Sequence, residues 1–161
     1  MMPNKEREES IPSILKTVQA AALQVGIQIL PVDARTPGEI ERGFGRMTRE
    51  RVDAGIILTD TVFLLQRRQI AELALNNRIP LMLPWREQVE AGGLMSYGQN
   101  LTDLYRRAAT FVDKILKGAK PGELPFERPT KIHFAINRKT AKTLGLTIPP
   151  ELLLRADEVI D

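Results

Sequence analysis

The stretch AGIILTDTVFLLQRRQIAELALNNRIPLML, residues 54–83, decides the fold. Ala54–Leu58 is a short, unbroken apolar run. Between helices, such a run suits a parallel strand covered on both faces. Thr59, Asp60 and Thr61 end it and can cap a helix over Val62–Asn77. That helix turns Val62, Leu65, Ile70, Leu73 and Ala74 inward. Ile79–Leu83 reads as the next strand. A strand, an amphipathic helix and a strand make a right-handed βαβ crossover, which implies a parallel sheet.

Upstream, Met1–Glu9 is polar and reads as a disordered lead-in. Ser10 can cap a helix whose stripe runs through Ile14, Leu15, Val18, Ala21, Ala22 and Val25, with Gly26 as its stop. Ile27–Val32 has the composition of a buried strand. Thr36 and Pro37 open a helix over Pro37–Arg51 with Ile40, Phe44 and Met47 inward.

Downstream, LPWREQVEAGGLMSYGQN, residues 83–100, joins two regular elements. It holds the sole tryptophan, Trp85, a glycine break at Gly92–Gly93 and the fourth strand, Leu94–Tyr97. Asn100 caps the best amphipathic helix in the chain, Leu101–Lys117. Pro121, Pro125 and Pro129 mark an extended connector. Thr130–Asn137 alternates as a strand, with Ile132, Phe134 and Ile136 on one face. Lys139–Leu144 and Glu151–Arg155 are short helices, and Asp157–Ile160 is a short final strand. The fold class is therefore α/β, three layers around a mostly parallel sheet. The chain divides into the lead-in 1–9, an α/β region 10–98, a helix and connector 99–129, and a terminal segment 130–161.

Composition narrows the function. At 161 residues, 43% apolar and 27% charged, the chain is an ordinary globular domain. No cysteine is present, which excludes disulfides and thiolate chemistry, and one histidine excludes a multi-histidine zinc site. No metal or cofactor is expected. The net charge of +3 comes from dispersed Lys and Arg, so nucleic-acid binding has no footprint. No apolar run reaches transmembrane length, and the first residues carry no secretion signal.

The candidate ligand residues lie where strands end. Ligands of open α/β sheets bind outside the carboxyl ends of the strands. Asp60 can receive a ligand ammonium or hydroxyl there, or cap the following helix with Thr59 or Thr61. Trp85 can stack on an aromatic ligand, and Arg86 can grip a carboxylate. The alternative makes Trp85 a core anchor and Arg86–Glu87 a solvated pair. Tyr97 either lines the cleft or packs locally. Ser96 and Gly98 lie at the end of the fourth strand, Gly98 giving backbone freedom at a crossover. His133 reads as a lone surface histidine.

Three segments carry a resemblance: AGGLMSYG (Ala91–Gly98), DLYRRAATFVDKILKGAKPGELP (Asp103–Pro125) and INRKTAKTLGLTIPPELLLRADEVI (Ile136–Ile160). Together they resemble the substrate-binding proteins of ABC transporters that have the type I periplasmic-binding-protein fold. The resemblance is to the group that binds tryptophan and tyrosine. It implies a non-enzymatic importer component that closes two lobes, by a hinge entered at Ser96 and Gly98, around a small molecule, possibly an amino acid or aromatic compound, and delivers it to a permease. It also implies a periplasmic or extracytoplasmic location, although a short chain without a signal would stay in the cytoplasm. Members of that family are about twice as long. The present chain matches their C-terminal lobe and the crossover elements, so it reads as a truncated member, half of a split gene or a non-functional remnant. The Leu101–Leu116 helix then lacks the lobe it would cross to and is expected to pack back on the domain or to self-associate.

Two rival readings have their own requirements. A ligand-sensing regulatory domain of the same fold would need a DNA-binding segment elsewhere. A receiver-type phosphoacceptor at Asp60 would need an acidic pair after the first strand, and Ile27–Asp33 offers only Asp33.

Overall fold

The computed structural model describes residues 5–127 and 131–161. Residues 1–4 of the expected lead-in, and Pro129 and Thr130 of the connector and strand, lie outside the described residues. The chain forms two compact units, residues 1–34 and 35–161.

In the first unit, helix α1 spans Lys5–Gln24. It begins five residues before the expected Ser10 cap, so the lead-in is helical from Lys5. Gly26 stops it as expected. Its φ of 71° lets the Ile27 amide reach back to the Ala22 carbonyl at 2.9 Å. The expected strand Ile27–Val32 is not formed. Residues 27–34 take part in no ladder among the described residues, and apolar composition alone does not make a strand without a hydrogen-bonded neighbour.

The second unit is built on a five-stranded sheet in the order β1 (Gly55–Ile56), β2 (Leu81–Leu83), β3 (Met95–Gln99), β4 (Ile132–Asn137), β5 (Glu158–Ile160). β1–β2, β2–β3 and β4–β5 are parallel, and β3–β4 is antiparallel. Helices cover both sides, so the fold is α/β with a mostly parallel sheet. The segments expected as 10–98 and 130–161 thus contribute strands to one sheet, and 99–129 supplies the last residue of β3, a helix and the connector. Helix α2 (Pro37–Arg49) starts on Thr36, whose side chain accepts from the Glu39 amide, and buries Ile40 and Phe44. It packs on α4 (Arg67–Asn76), which buries Ile70, Ala71 and Ala74. Helix α5 (Arg86–Glu90) lies across β2, β3 and β4 with Val89 fully buried.

The structure departs from expectation in this unit as well. β1 is not covered on both faces; it is the outermost strand, and Ile56 is 63% exposed. The helix expected over Val62–Asn77 breaks at Gln66 into α3 (Thr61–Leu65) and α4. A stripe joining Val62 to Leu73 would pass through positions 66 and 69, and both are Gln. Leu65 therefore faces solvent rather than the core. Two helices stop without glycine. Arg51 and Arg78 take φ values of 53° and 54° after α2 and α4, where glycine is usual.

The β2–β3 connection, residues 84–94, is close to the shortest that can link parallel strands. It forces close packing at Gly93, where an added Cβ would lie 2.1 Å from Leu83 Cδ1 and 2.8 Å from the Gln88 carbonyl oxygen. Gly93→Ala should cost about 2 kcal/mol through overpacking, lowering Tm by about 5 °C. Gly122→Ala, which meets nothing within 4 Å, should leave Tm within about 1 °C. Paired thermal melts followed by circular dichroism check both.

Candidate functional site

The carboxyl ends of β1, β2 and β3 lie along one edge of the sheet, and the starts of β4 and β5 meet it there because those strands run the opposite way. Asp60, Trp85 and Arg86 follow β1 and β2 at this edge, and Tyr97 and Gly98 lie near the end of β3. Strand alternation then separates them by face. Leu83, Ser96, Ala135 and Glu158 are register partners on one face. Tyr97 and Phe134 pair on the other, with ring centroids 6.0 Å apart in an edge-to-face arrangement.

Asp60 caps α3. Its Oδ1 accepts from the Val62 amide at 2.7 Å, which satisfies one orphan donor of the helix terminus. Thr59 is exposed beside it. Trp85 is half-buried and precedes α5; its amide donates to Gln88 Oε1 at 3.3 Å. Gln88 in turn donates from Nε2 to the Phe63 carbonyl at 3.3 Å, so this buried amide ties the Trp85 loop to α3.

Arg86 is neither a free carboxylate fork nor half of an Arg86–Glu87 pair. Its Nε and Nη2 engage Glu158 bidentately, Nη2 to Oε1 at 2.8 Å, and Nη1 reaches Glu90 Oε1 at 2.9 Å. This partner lies 72 residues away in sequence. The hydrogen-bonded Glu158 raises the arginine pKa further, and Arg86 holds the Glu158 carboxyl below its ordinary value. His133 is not a lone surface residue. Its Nε2 lies 3.8 Å from Glu158 Oε2, and its side chain is 22% exposed. Its Nδ1 is buried with no partner among the described residues.

Ser96 is 1% exposed in the middle of the sheet, and its Oγ is buried without a partner among the described residues. Gly98 has no left-handed backbone. It is required for space, since an added Cβ would lie 2.0 Å from the Pro84 carbonyl oxygen. The bare backbone of β3 therefore lets the Pro84–Trp85 loop lie against the sheet. Tyr97 is 55% exposed and open on its face. Sequence reasoning missed Glu158 and Gln88; a short terminal strand and a polar residue inside a short helix carry no local sign of a partner. Among the described residues, no group of three or more His, Asp or Glu side chains is placed to hold a metal ion. No helix among them is long and apolar enough to cross a membrane.

Over residues 1–160 the chain matches the family described as ABC transporter substrate binding protein. A comparison with curated proteins gives no match. Three solved structures share the fold. One is a conserved domain protein from Vibrio cholerae O1 biovar El Tor, at 23% identity and a TM-score of 0.82, covering 92% of this chain and 50% of that one. Another is the ABC domain in complex with L-Trp from Streptococcus pneumoniae, at 27% identity and a TM-score of 0.80, covering 92% and 51%. The third is the ligand-free, open structure of CD0873, a substrate-binding protein with adhesive properties from Clostridium difficile, at 20% identity and a TM-score of 0.64, covering 94% and 50%. The chain thus spans about half the length of the structures it matches.

The Arg86–Glu158 pair sets a pH dependence. Glu158 releases its proton more readily folded than unfolded. The pair's stabilisation is therefore complete above the unfolded value near 4.5 and is lost as pH falls through the lower folded value. Glu158→Gln should cost about 1–2 kcal/mol at pH 7, between the values for exposed and buried pairs. Denaturant melts of both proteins from pH 7 to pH 3 should show that difference shrinking at the acid end.

Proposed function

The chain belongs to the family of ABC transporter substrate-binding proteins, and from that premise we propose that it forms one wall of a solute-binding cleft. The wall is the carboxyl edge of β1–β3, with Asp60, Thr59 and Trp85 as its ligand-facing chemistry and Tyr97 at its open side. The ligand is a small molecule with an amino group and an aromatic or apolar body. Asp60 takes the amino group beside the α3 terminus, and Trp85 stacks on the ring. The family match over nearly the whole chain carries the reading. The tryptophan bound to the Streptococcus pneumoniae neighbour supports the ligand class.

Arg86 has a different part from direct carboxylate capture. With its fork on Glu158, it holds the Trp85 loop to β5 and so positions Trp85. Ser96 and Gly98 set the end of β3, where the chain enters α6 (Leu101–Leu116). Closure of a second lobe over this edge completes the cleft and delivers the solute to permease subunits of an importer outside the cytoplasm. No step of this cycle is a reaction, and the protein is a binding component rather than an enzyme.

One wall leaves half the ligand in water, so the chain alone should bind L-tryptophan only in the millimolar range, about −4 kcal/mol. Trp85 is the sole tryptophan and gives a single indole signal in an amide-correlation NMR spectrum. Titration with L-tryptophan should shift that signal together with the amides of residues 59–62, and Asp60→Ala should abolish the shifts. Shifts confined to the opposite sheet edge, or their absence at tens of millimolar ligand, would overturn the assignment. Micromolar affinity in calorimetry would overturn the need for a second wall.

A further inference from the structure

A polar cluster stands behind the Trp85 loop, with Glu158 of β5 at its centre. Glu158 Oε2 accepts from Arg86 Nε and lies 3.8 Å from His133 Nε2, while Oε1 accepts from Arg86 Nη2. Strand alternation brings the imidazole there. His133 stands two residues before Ala135, the register partner of Glu158, and so shares its face of the sheet. Its own register partner on β3 is Gly98, which has no side chain to intervene.

Each neighbouring element contributes known charges. β5 brings Glu158, whereas the adjacent Asp157 accepts from the Phe134 amide at 2.8 Å. α5 brings Arg86, with Glu90 on its Nη1 and Glu87 adding a longer-range attraction. β3 presents the uncharged Ser96 and Gly98 on this face. On the strand of His133 itself, Lys131 is two residues away and exposed. With His133 neutral, Arg86 is one cation held by two carboxylates, Glu90 and Glu158. An imidazolium supplies a second cation. It attracts Glu158 Oε2, the oxygen that also holds Arg86 Nε, and it repels the guanidinium. Proton uptake therefore changes the grip on Arg86, which is next in sequence to Trp85. The chain has one histidine and no cysteine, so His133 is its one side chain of the type that changes charge between about pH 5 and pH 8.

We propose that His133 is a positioning residue for the Trp85 loop: on taking up a proton it draws Glu158 from Arg86, and the loop shifts. The coupling belongs to the unliganded chain, and its effect on a solute rests on the reading of Trp85 as part of the ligand wall.

Trp85 is the sole tryptophan, so its fluorescence reports the loop without an added probe. From about pH 8 to about pH 5, the unliganded chain should show a single emission shift, with far-UV circular dichroism constant. One histidine and one tryptophan give one imidazole and one indole signal in proton NMR. The two should titrate with the same midpoint, a comparison that needs no variant. His133→Gln and Glu158→Gln should each abolish the emission shift, and Lys131→Gln should leave it unchanged. Direct quenching of Trp85 by the imidazolium would survive Glu158→Gln, so that variant isolates the route through the carboxylate. Four results would overturn the proposal: emission flat across the range, different midpoints for the two signals, a shift that persists in His133→Gln or Glu158→Gln, and a shift that coincides with loss of ellipticity. Failure of L-tryptophan to bind would remove the ligand reading and leave this coupling standing.

Discussion

The fold of the second unit depends on Asn137, the buried residue between β4 and α7 (Arg138–Leu144). Its amide donates to the Leu94 carbonyl at 2.8 Å, and its Nδ2 donates to the Val89 carbonyl at 3.3 Å. Its Oδ1 accepts from the Thr140 amide at 2.9 Å and caps α7. Thr140 adds a bond from Oγ1 to the Gly92 carbonyl, also at 2.9 Å. One turn of chain thus satisfies the carbonyls at the end of α5 and in the loop before β3. Buried without partners, those carbonyls would each cost about 1–3 kcal/mol. The antiparallel C-terminal segment is in this way joined to the parallel half of the sheet.

That joint constrains the opposite edge. With α5 held at its carboxyl end by Asn137 and Thr140, its amino end is fixed as well. Arg86 then meets Glu158, and Gln88 meets the Phe63 carbonyl. The short crossover leaves no slack, and the glycines at 93 and 98 stand where backbone or side chains approach too closely for a Cβ. The loop bearing Trp85 is set by these contacts from three elements, so the candidate ligand wall inherits its geometry from the packing behind it.

The α/β class and the position of the candidate wall were legible in residues 54–83, because strand and helix periods differ and ligand chemistry gathers at strand ends. Three helix caps were legible too. Thr36, Asp60 and Asn100 each accept from an amide in the first turn that follows them, whereas Asn137, read only as the end of a strand, also caps α7, and Ser10 lies inside α1. These are interactions within four residues, and local sequence contains both partners. The break at Gln66 is also written in the chain, as two glutamines on the apolar stripe.

What the sequence determined by itself is the type of the elements within residues 35–161, the caps at Thr36, Asp60 and Asn100, and the amphipathic face of α6. These follow from periodicity and from contacts between near neighbours. The tertiary structure alone decided which strands pair, which left β1 at the edge and residues 27–34 outside any ladder. It also decided that Arg86 belongs to Glu158, that His133 is covered, and that Gly98 is needed for space rather than for freedom. The reason is physical: each depends on a partner far away in the chain, and neither the spacing nor the composition around a residue records which distant group will reach it.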